Sequence, residues 1–274
     1  MKFKMHLQLF LRSFFLQTSW NYVKYQNIGL TFVMWPFLKQ LYKDKPQELP
    51  SVLERYLEAF NTQPMMASFC FGALAKQEEK MVQQQTLKEL ELNLAEWDAI
   101  RRSLSITTAS IGDRFFWGAL KPLTLLLALF ICLFLNINFF EPEMVQTVPS
   151  AYIVAAITAA FVCFNAIALF VKWIGISLGY SAPEKACFGL VSFDWNKTIY
   201  YAKKIGLLLT IAMLLFGAYR FLKDFGSIYD FHFLARFLLI VAFVLCSLLA
   251  RKLRVPNMYV YMAAVVIFSI VSLF

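Results

Sequence analysis

Residues 151–171 read AYIVAAITAAFVCFNAIALFV, a run of 21 positions without one charged side chain. At about 1.5 Å of rise per residue, such a helix measures roughly 31 Å, close to the thickness of a bilayer's hydrocarbon core. Four further stretches share this character, at about 123–140, 205–221, 233–249 and 257–274. Each lies near the short end of the roughly 17–25 residues that a spanning helix needs. The whole chain agrees: 60% of its residues are apolar, against about 45–50% in a soluble domain. It carries 29 Phe, only 16% charged residues, and a mean hydropathy of +0.61. The expectation is an all-α integral membrane protein, with amphipathic and re-entrant helices in the N-terminal half followed by about five transmembrane helices.

The segments between the spans set an expected orientation. Glu141–Ser150 holds Glu141 and Glu143 and no Lys or Arg, which suits the outer side. Lys172–Lys204 holds five lysines against Glu184 and Asp194, and Arg251, Lys252 and Arg254 mark a second basic segment. Both suit the cytoplasm. The N-terminal half is then cytoplasmic and the C-terminus outside. Residues 1–122 hold 15 Lys+Arg and 11 Asp+Glu, and residues 123–274 hold 11 and 6. Basic residues spread between apolar runs in this way mark topology rather than a nucleic-acid surface.

Two regions follow: 1–122, a cytoplasmic or interfacial motif-bearing part with short re-entrant helices, and 123–274, the transmembrane helical part. In the first, Phe3, Leu7, Phe10, Leu11 and Phe14 recur at helical spacing. Gln8, Arg12 and Ser13 interrupt the apolar run, and no small-residue cleavage site follows, so the start reads as an uncleaved amphipathic helix at the membrane interface. Ile28–Leu38 and Met65–Ala75 are apolar runs too short to span and bounded by prolines, hence re-entrant, interfacial or buried helices. Glu78–Arg102 reads as a soluble helix with Leu87, Leu90, Leu94 and Trp97 in one stripe.

The chain lacks the phosphate-loop, zinc-protease and nucleophile-elbow motifs. Its two histidines, His6 and His232, have no catalytic setting, and the five scattered cysteines form no C-x-x-C pair, so neither cofactor nor metal is expected. Three polar clusters stand out instead. Ser19-Trp20-Asn21, with Lys24 beyond, sets an amide beside an aromatic ring. Asn61-Thr62-Gln63 gathers two amides and a hydroxyl before Pro64. Gly112-Asp113 precedes Phe115-Phe116-Trp117. Amides both donate and accept, as a neutral polyhydroxylated ligand such as a sugar requires, and Trp20 or Trp117 offers a face for its ring. The alternative is local: Asn61 and Thr62 cap a helix starting near Pro64, while Gly112 breaks the chain at positive φ and Asp113 caps Arg114–Leu120. Asp113 paired with Arg114 or Lys121 is a further possibility.

Taken in order, Arg12-Ser13, Gln17–Tyr22, Gln26–Gly29, Phe60–Pro64, Glu78-Glu79 and Ile111–Gly118 resemble the IID component of mannose-type phosphotransferase-system transporters. The likeness is specific over residues 10–122, weaker at Lys172–Gly175 and Gly179–Ser181, and mostly hydropathy beyond. It implies a multi-pass protein of the bacterial inner membrane, paired with a IIC subunit, typically as a trimer of IIC–IID pairs. A hexose-type sugar passes inward while IIAB, or separate IIA and IIB proteins, phosphorylates it with a phosphoryl group carried on their own histidines. No phosphoryl-carrying residue is then expected on this chain, and Ser19, Trp20, Asn21, Lys24, Asn61, Thr62, Gln63, Gly112, Asp113 and Trp117 border the sugar path or the IIC interface. Two departures stand out: Val23 replaces the family's acid, and Ile106–Ser110 lacks its glycines and proline. They motivate the alternative of a non-transporting structural or regulatory membrane subunit of the same descent.

Overall fold

The structure, a computed structural model, describes residues 1–83, 87–134, 150–182 and 184–224. Helices account for nearly all of it: α1 (Phe3–Arg12), α2 (Asn27–Leu41), α3 (Leu49–Tyr56), α4 (Ala67–Val82) and α5 (Leu87–Gly112). A π-helical segment, Asp113–Leu120, leads into α6 (Lys121–Phe134), followed by α7 (Ser150–Ser181) and α8 (Trp195–Asp224). Among the described residues there is no strand, only isolated bridges joining Tyr25 to Asn21 and to Phe60. Two units divide the chain, Met1–Met213 and Leu214–Phe274. Within the second, the structure describes only the closing turns of α8.

Among the described residues, three stretches are long and apolar enough to cross a membrane: Glu91–Leu133, Ala151–Ser181 and Cys187–Gly217. They contain, wholly or in part, the expected spans at 123–140, 151–171 and 205–221, and the all-α membrane class stands. The expected spans at 233–249 and 257–274, and the loops read for orientation at 141–149 and 251–254, lie outside the described residues.

The first unit is organised around α4. Its sequence ASFCFGALA alternates aromatic with small side chains, and Phe69, Cys70, Phe71 and Leu74 are fully buried. The small positions let α7 come unusually close. A Cβ on Gly72 would lie 2.3 Å from the Ile176 carbonyl oxygen, and one on Gly179 would lie 2.3 Å from that of Phe69. Backbone contact of this kind is how apolar helices associate when lipid is as apolar as their side chains.

The other elements wrap this pair. In α1, Met5 and Leu9 are buried while Phe3 and Leu11 remain exposed, as do Phe14 and Phe15 in the turn that follows. The expected amphipathic helix therefore forms, with its aromatic stripe facing out. Lys172 of α7 is buried beneath the end of α1, where it donates to the Ser13 carbonyl at 3.2 Å and lies 4.3 Å from the Phe14 ring centroid. The short run at 28–38 extends to Asn27–Leu41 across Pro36, and the run at 65–75 becomes the start of α4.

One expectation changes. Glu78–Arg102 is not one solvated helix: Glu78 lies inside α4, fully buried, and α5 begins at Leu87. Its charge is met internally, by Arg55 Nη2 at 2.9 Å from both carboxylate oxygens and the Tyr42 hydroxyl at 2.8 Å. A buried carboxylate with such partners carries no signature of solvent.

Candidate functional site

Asn21 builds the first part of the site by itself. Its Oδ1 accepts from the backbone N–H of Val23 (3.2 Å) and Lys24 (2.8 Å), and its Nδ2 donates to Asn27 Oδ1 at 2.9 Å. Asn21 and Tyr25 exchange backbone hydrogen bonds of 3.0 Å in each direction, closing a tight loop in which Tyr25 takes φ +59°. Val23 occupies the tip with 81% of its surface exposed. Trp20 packs edge-on against Tyr22 at 4.9 Å between ring centroids. A rigid aromatic knuckle results.

This knuckle is fastened to the second cluster through Gln26. The Gln26 N–H donates to the Phe60 carbonyl at 2.8 Å, and the Phe60 N–H donates to that of Lys24 at 3.2 Å. The Gln26 side chain continues the ladder as a backbone would: Nε2 donates to the Thr62 carbonyl (2.9 Å) and Oε1 accepts from the Thr62 N–H (3.0 Å). A primary amide matches a peptide group in both donor and acceptor, so one side chain extends the pairing by a residue. Lys24 adds an exposed pair with Glu58 at 3.2 Å.

The second cluster meets the third at α5. Thr62 Oγ1 lies 2.7 Å from Thr108 Oγ1, and Thr108 donates to the Leu104 carbonyl at 2.6 Å. Gln63 Oε1 accepts from the N–H groups of Met65 (2.6 Å) and Met66 (3.2 Å), setting the turn into α4. Gln63 Nε2 is buried without a hydrogen-bond partner among the described residues. Beside Gln63, Gly112 keeps helical backbone, φ −63° and ψ −42°. Burial pushes the thiol of Cys70, 3.5 Å from Thr108 Oγ1, up to about 12, so it stays protonated. The interior of the site is made of neutral amides and hydroxyls.

Both capping expectations are corrected here. Gln63, not Asn61 or Thr62, satisfies the N–H groups ahead of α4, because Thr62 is committed to Gln26 and Thr108. Gly112 makes no positive-φ break and Asp113 makes no side-chain cap; the helix runs on through a widened π turn. Its glycine is required by closeness to Gln63 rather than by φ.

The structure thus joins Asn21, Thr62, Gln63 and Gly112 into one knot with Gln26, Asn27 and Thr108. Ser19 and Asn61 sit at the surface and make no side-chain hydrogen bond among the described residues. Trp20 and Trp117 are 44% and 48% exposed, and Lys121 Nζ rests 4.5 Å from the Trp117 ring centroid. Thr108 escaped the sequence reading, although its place four residues before Gly112 puts both on one helix face. Arg101, also missed, is buried and donates to the Ala59 carbonyl just ahead of the second cluster. His6 is buried too, with Nδ1 3.3 Å from Ser177 Oγ and its ring 4.2 Å from that of Trp173. Desolvation lowers its pKa, so it is neutral near pH 7.

Residues 1–140 match the family described as the PTS system mannose/fructose/sorbose family IID component. The mannose-specific EIID component of Escherichia coli (strain K12) is 28% identical over 173 residues, covering 63% of this chain and 53% of that protein. The fructose permease IID component of Bacillus subtilis (strain 168) is 31% identical over 172 residues, covering 63% and 54%. The sorbose-specific EIID component of Klebsiella pneumoniae is 29% identical over 174 residues, covering 64% and 55%. The chain spans about half the length of these relatives. Among solved structures, a chain in the complex of the mannose transporter ManYZ with microcin E492 shares the fold, with a TM-score of 0.54 at 24% identity over 78% of this chain and 70% of that one. A second, described only as a membrane protein, has a TM-score of 0.59 at 25% identity over 77% and 70%.

Proposed function

Because the chain belongs to the mannose/fructose/sorbose family of phosphotransferase-system IID components, we propose that it is the membrane-embedded IID subunit of a sugar phosphotransferase system. It pairs with a IIC subunit, three pairs to a complex, and a hexose-type sugar moves inward while IIAB, or IIA and IIB, phosphorylates it. The observation that carries this reading is the knot itself: all three clusters lie inside the family-matched region and are fastened together by neutral amides and hydroxyls. Such a network fixes the shape of the motif region without titrating.

The residues divide by setting. Asn21, Thr62, Gln63 and Gly112 hold the shape, and Lys24 tethers the knuckle through Glu58. Ser19, Trp20, Asn61, Asp113 and Trp117, at the surface, meet the sugar or the IIC subunit. Catalysis belongs to the soluble partners, since buried His6 is poorly placed to carry a phosphoryl group. The complex sits in the bacterial inner membrane. Residues 1–122 face the cytoplasm, and 123–274 hold them in the bilayer with the C-terminus outside. The five lysines of Lys172–Lys204 support that orientation.

The test is co-expression with its own IIC and IIAB, followed by phosphoenolpyruvate-dependent sugar uptake. Asn61→Ala is expected to assemble normally and to slow uptake roughly tenfold, the worth of one ligand hydrogen bond of about 1.4 kcal/mol. Asn61→Ala and Asp113→Ala complexes that assemble and transport at full rate would refute the surface assignments. An assembled wild-type complex without hexose uptake would favour the non-transporting subunit instead.

A further inference from the structure

On α5, Trp97, Arg101, Leu104, Thr108 and Gly112 recur at helical spacing, and all five are buried. Three of them meet the second polar cluster in chain order. Arg101 donates to the Ala59 carbonyl, Thr108 Oγ1 lies 2.7 Å from that of Thr62, and Gly112 abuts Gln63. The two spacings match. From Arg101 to Thr108 the helix rises about 10.5 Å, while an extended chain from Ala59 to Thr62 advances about 10 Å. Phe60 and Thr62 are buried and Asn61 between them is exposed, the alternation of an extended strand. The direction of Asn61 is therefore set by what holds its neighbours. Phe60 is fastened by backbone bonds with Lys24 and Gln26, and Thr62 by Gln26 and Thr108.

Arg101 completes this fastening on the N-terminal side. Its guanidinium is 3% exposed and lies 5.7 Å from the Trp97 ring centroid, with Nε lacking a hydrogen-bond partner among the described residues. Taking such a charge out of water is offset only by good partners, and an apolar side chain of like volume often serves stability as well. The Asp98 ion pair does not by itself call for it. Asp98 keeps 38% of its side chain exposed and is also held by Arg102 Nε at 2.8 Å. What Arg101 alone supplies is the donor to the Ala59 carbonyl, two residues before Asn61.

We infer that Arg101 is a positioning residue: by holding the Ala59 carbonyl against α5 it fixes the direction in which Asn61 is presented to the sugar. This rests on the reading of Asn61 above as a group that meets the sugar.

The test uses the complex with IIC and IIAB. Arg101→Met keeps the side chain's length and packing and leaves Asp98 its Arg102 pair, so the fold is expected to survive. Hydrogen exchange over residues 57–63 should lose protection while α4 and α7 keep theirs. The sugar concentration for half-maximal phosphoenolpyruvate-dependent uptake should rise by up to roughly tenfold, the limit set by one ligand hydrogen bond, at an unchanged maximal rate per assembled complex. A folding defect alone would lower the number of complexes and leave that concentration where it was. Adding Arg101→Met to Asn61→Ala should raise it no further, because both act through one contact. Arg101→Lys, which retains a donor for the carbonyl, should recover most of the loss. Unchanged exchange over 57–63, or full additivity in the double variant, would overturn the role of Arg101 and leave Asn61 at the sugar. An Asn61→Ala complex with parental half-saturation would remove Asn61 from the sugar path, and the role of Arg101 with it.

Discussion

A Cβ on Gly112 would lie 2.6 Å from Gln63 Cβ and 2.7 Å from its Cγ, so the second and third polar clusters touch through the absence of a side chain. The atoms in the way belong to the near end of the Gln63 side chain, which cannot swing aside without moving backbone. Gly112→Ala therefore pushes α5 away from the turn into α4 and costs about 1–3 kcal/mol, the usual penalty of overpacking. Gly118→Ala is the control, because its new methyl would meet only the Asp113 carbonyl oxygen at an ordinary 3.5 Å. Thermal unfolding of the purified protein in detergent should show a lower midpoint for the first variant and none for the second. Equal behaviour would mean that the close contact is not there.

The Thr62–Thr108 hydroxyl pair makes a sharper claim about the same junction. Its 2.7 Å bond is fully buried and links the loop after α3 to α5. Thr108→Val strands the Thr62 hydroxyl, Thr62→Val leaves Thr108 its bond to the Leu104 carbonyl, and the double variant strands neither. Single losses of about 1 kcal/mol and a coupling of about 0.5–1.5 kcal/mol are expected from a double-mutant cycle. Strict additivity would show that the two hydroxyls act separately.

How much of this was legible beforehand depends on whether the signal was local. The apolar runs at 123–140, 151–171 and 205–221 declared themselves because the solvent is lipid and every residue of a span votes. The polar clusters were visible as residue types, yet their partners were not. Gln26 mimics a peptide group for a residue 36 positions away, and nothing local in its sequence distinguishes it from any surface glutamine. Glu78 was read as solvated because its ion pair comes from Arg55 and Tyr42 on other elements. Gly112 was read for the conformational freedom of glycine, when it is there for its lack of volume. The π turn had no sequence signal: a widened turn is paid for by the fit of Phe115 and Phe116 in the core.

That ion pair is itself a target. Glu78 has no exposed surface and Arg55 retains 21%, so Glu78→Gln leaves a largely buried guanidinium without its counter-charge. Breaking such a pair costs about 3–5 kcal/mol when fully buried, and the partial exposure of Arg55 places this one toward the lower figure. Burial and the Glu78 carboxylate hold the Tyr42 hydroxyl well above its ordinary range. A group whose folded pKa is raised stabilises the fold below its unfolded value of about 10, and the contribution drains away as pH climbs above it. Alkaline destabilisation beyond about pH 10 should thus be weaker in Tyr42→Phe than in the parent. Identical alkaline profiles would remove Tyr42 from the network.

His6 gives the opposite sign on the acid side. It is buried between α1 and α7 against Trp173 and Ser177, its Nε2 has no hydrogen-bond partner among the described residues, and desolvation lowers its pKa from 6.5. The positive N-terminal ammonium lowers it further. With a depressed folded pKa, the unfolded chain binds its proton first. His6 therefore supports the fold fully above pH 6.5 and progressively less as pH falls below it. The loss should concentrate in α1, whose hold on α7 combines the His6 contacts with the Phe3 and Phe10 rings against Trp173 and the Lys172–Ser13 hydrogen bond just beyond its end. Hydrogen exchange of the α1 amides at pH 7.5 and pH 5.5 is the measurement. Protection should fall on acidification in the parent and stay nearly level in His6→Gln, which cannot take up the proton. An equal fall in both proteins would assign the acid sensitivity to carboxylates elsewhere and leave His6 a passive packing residue.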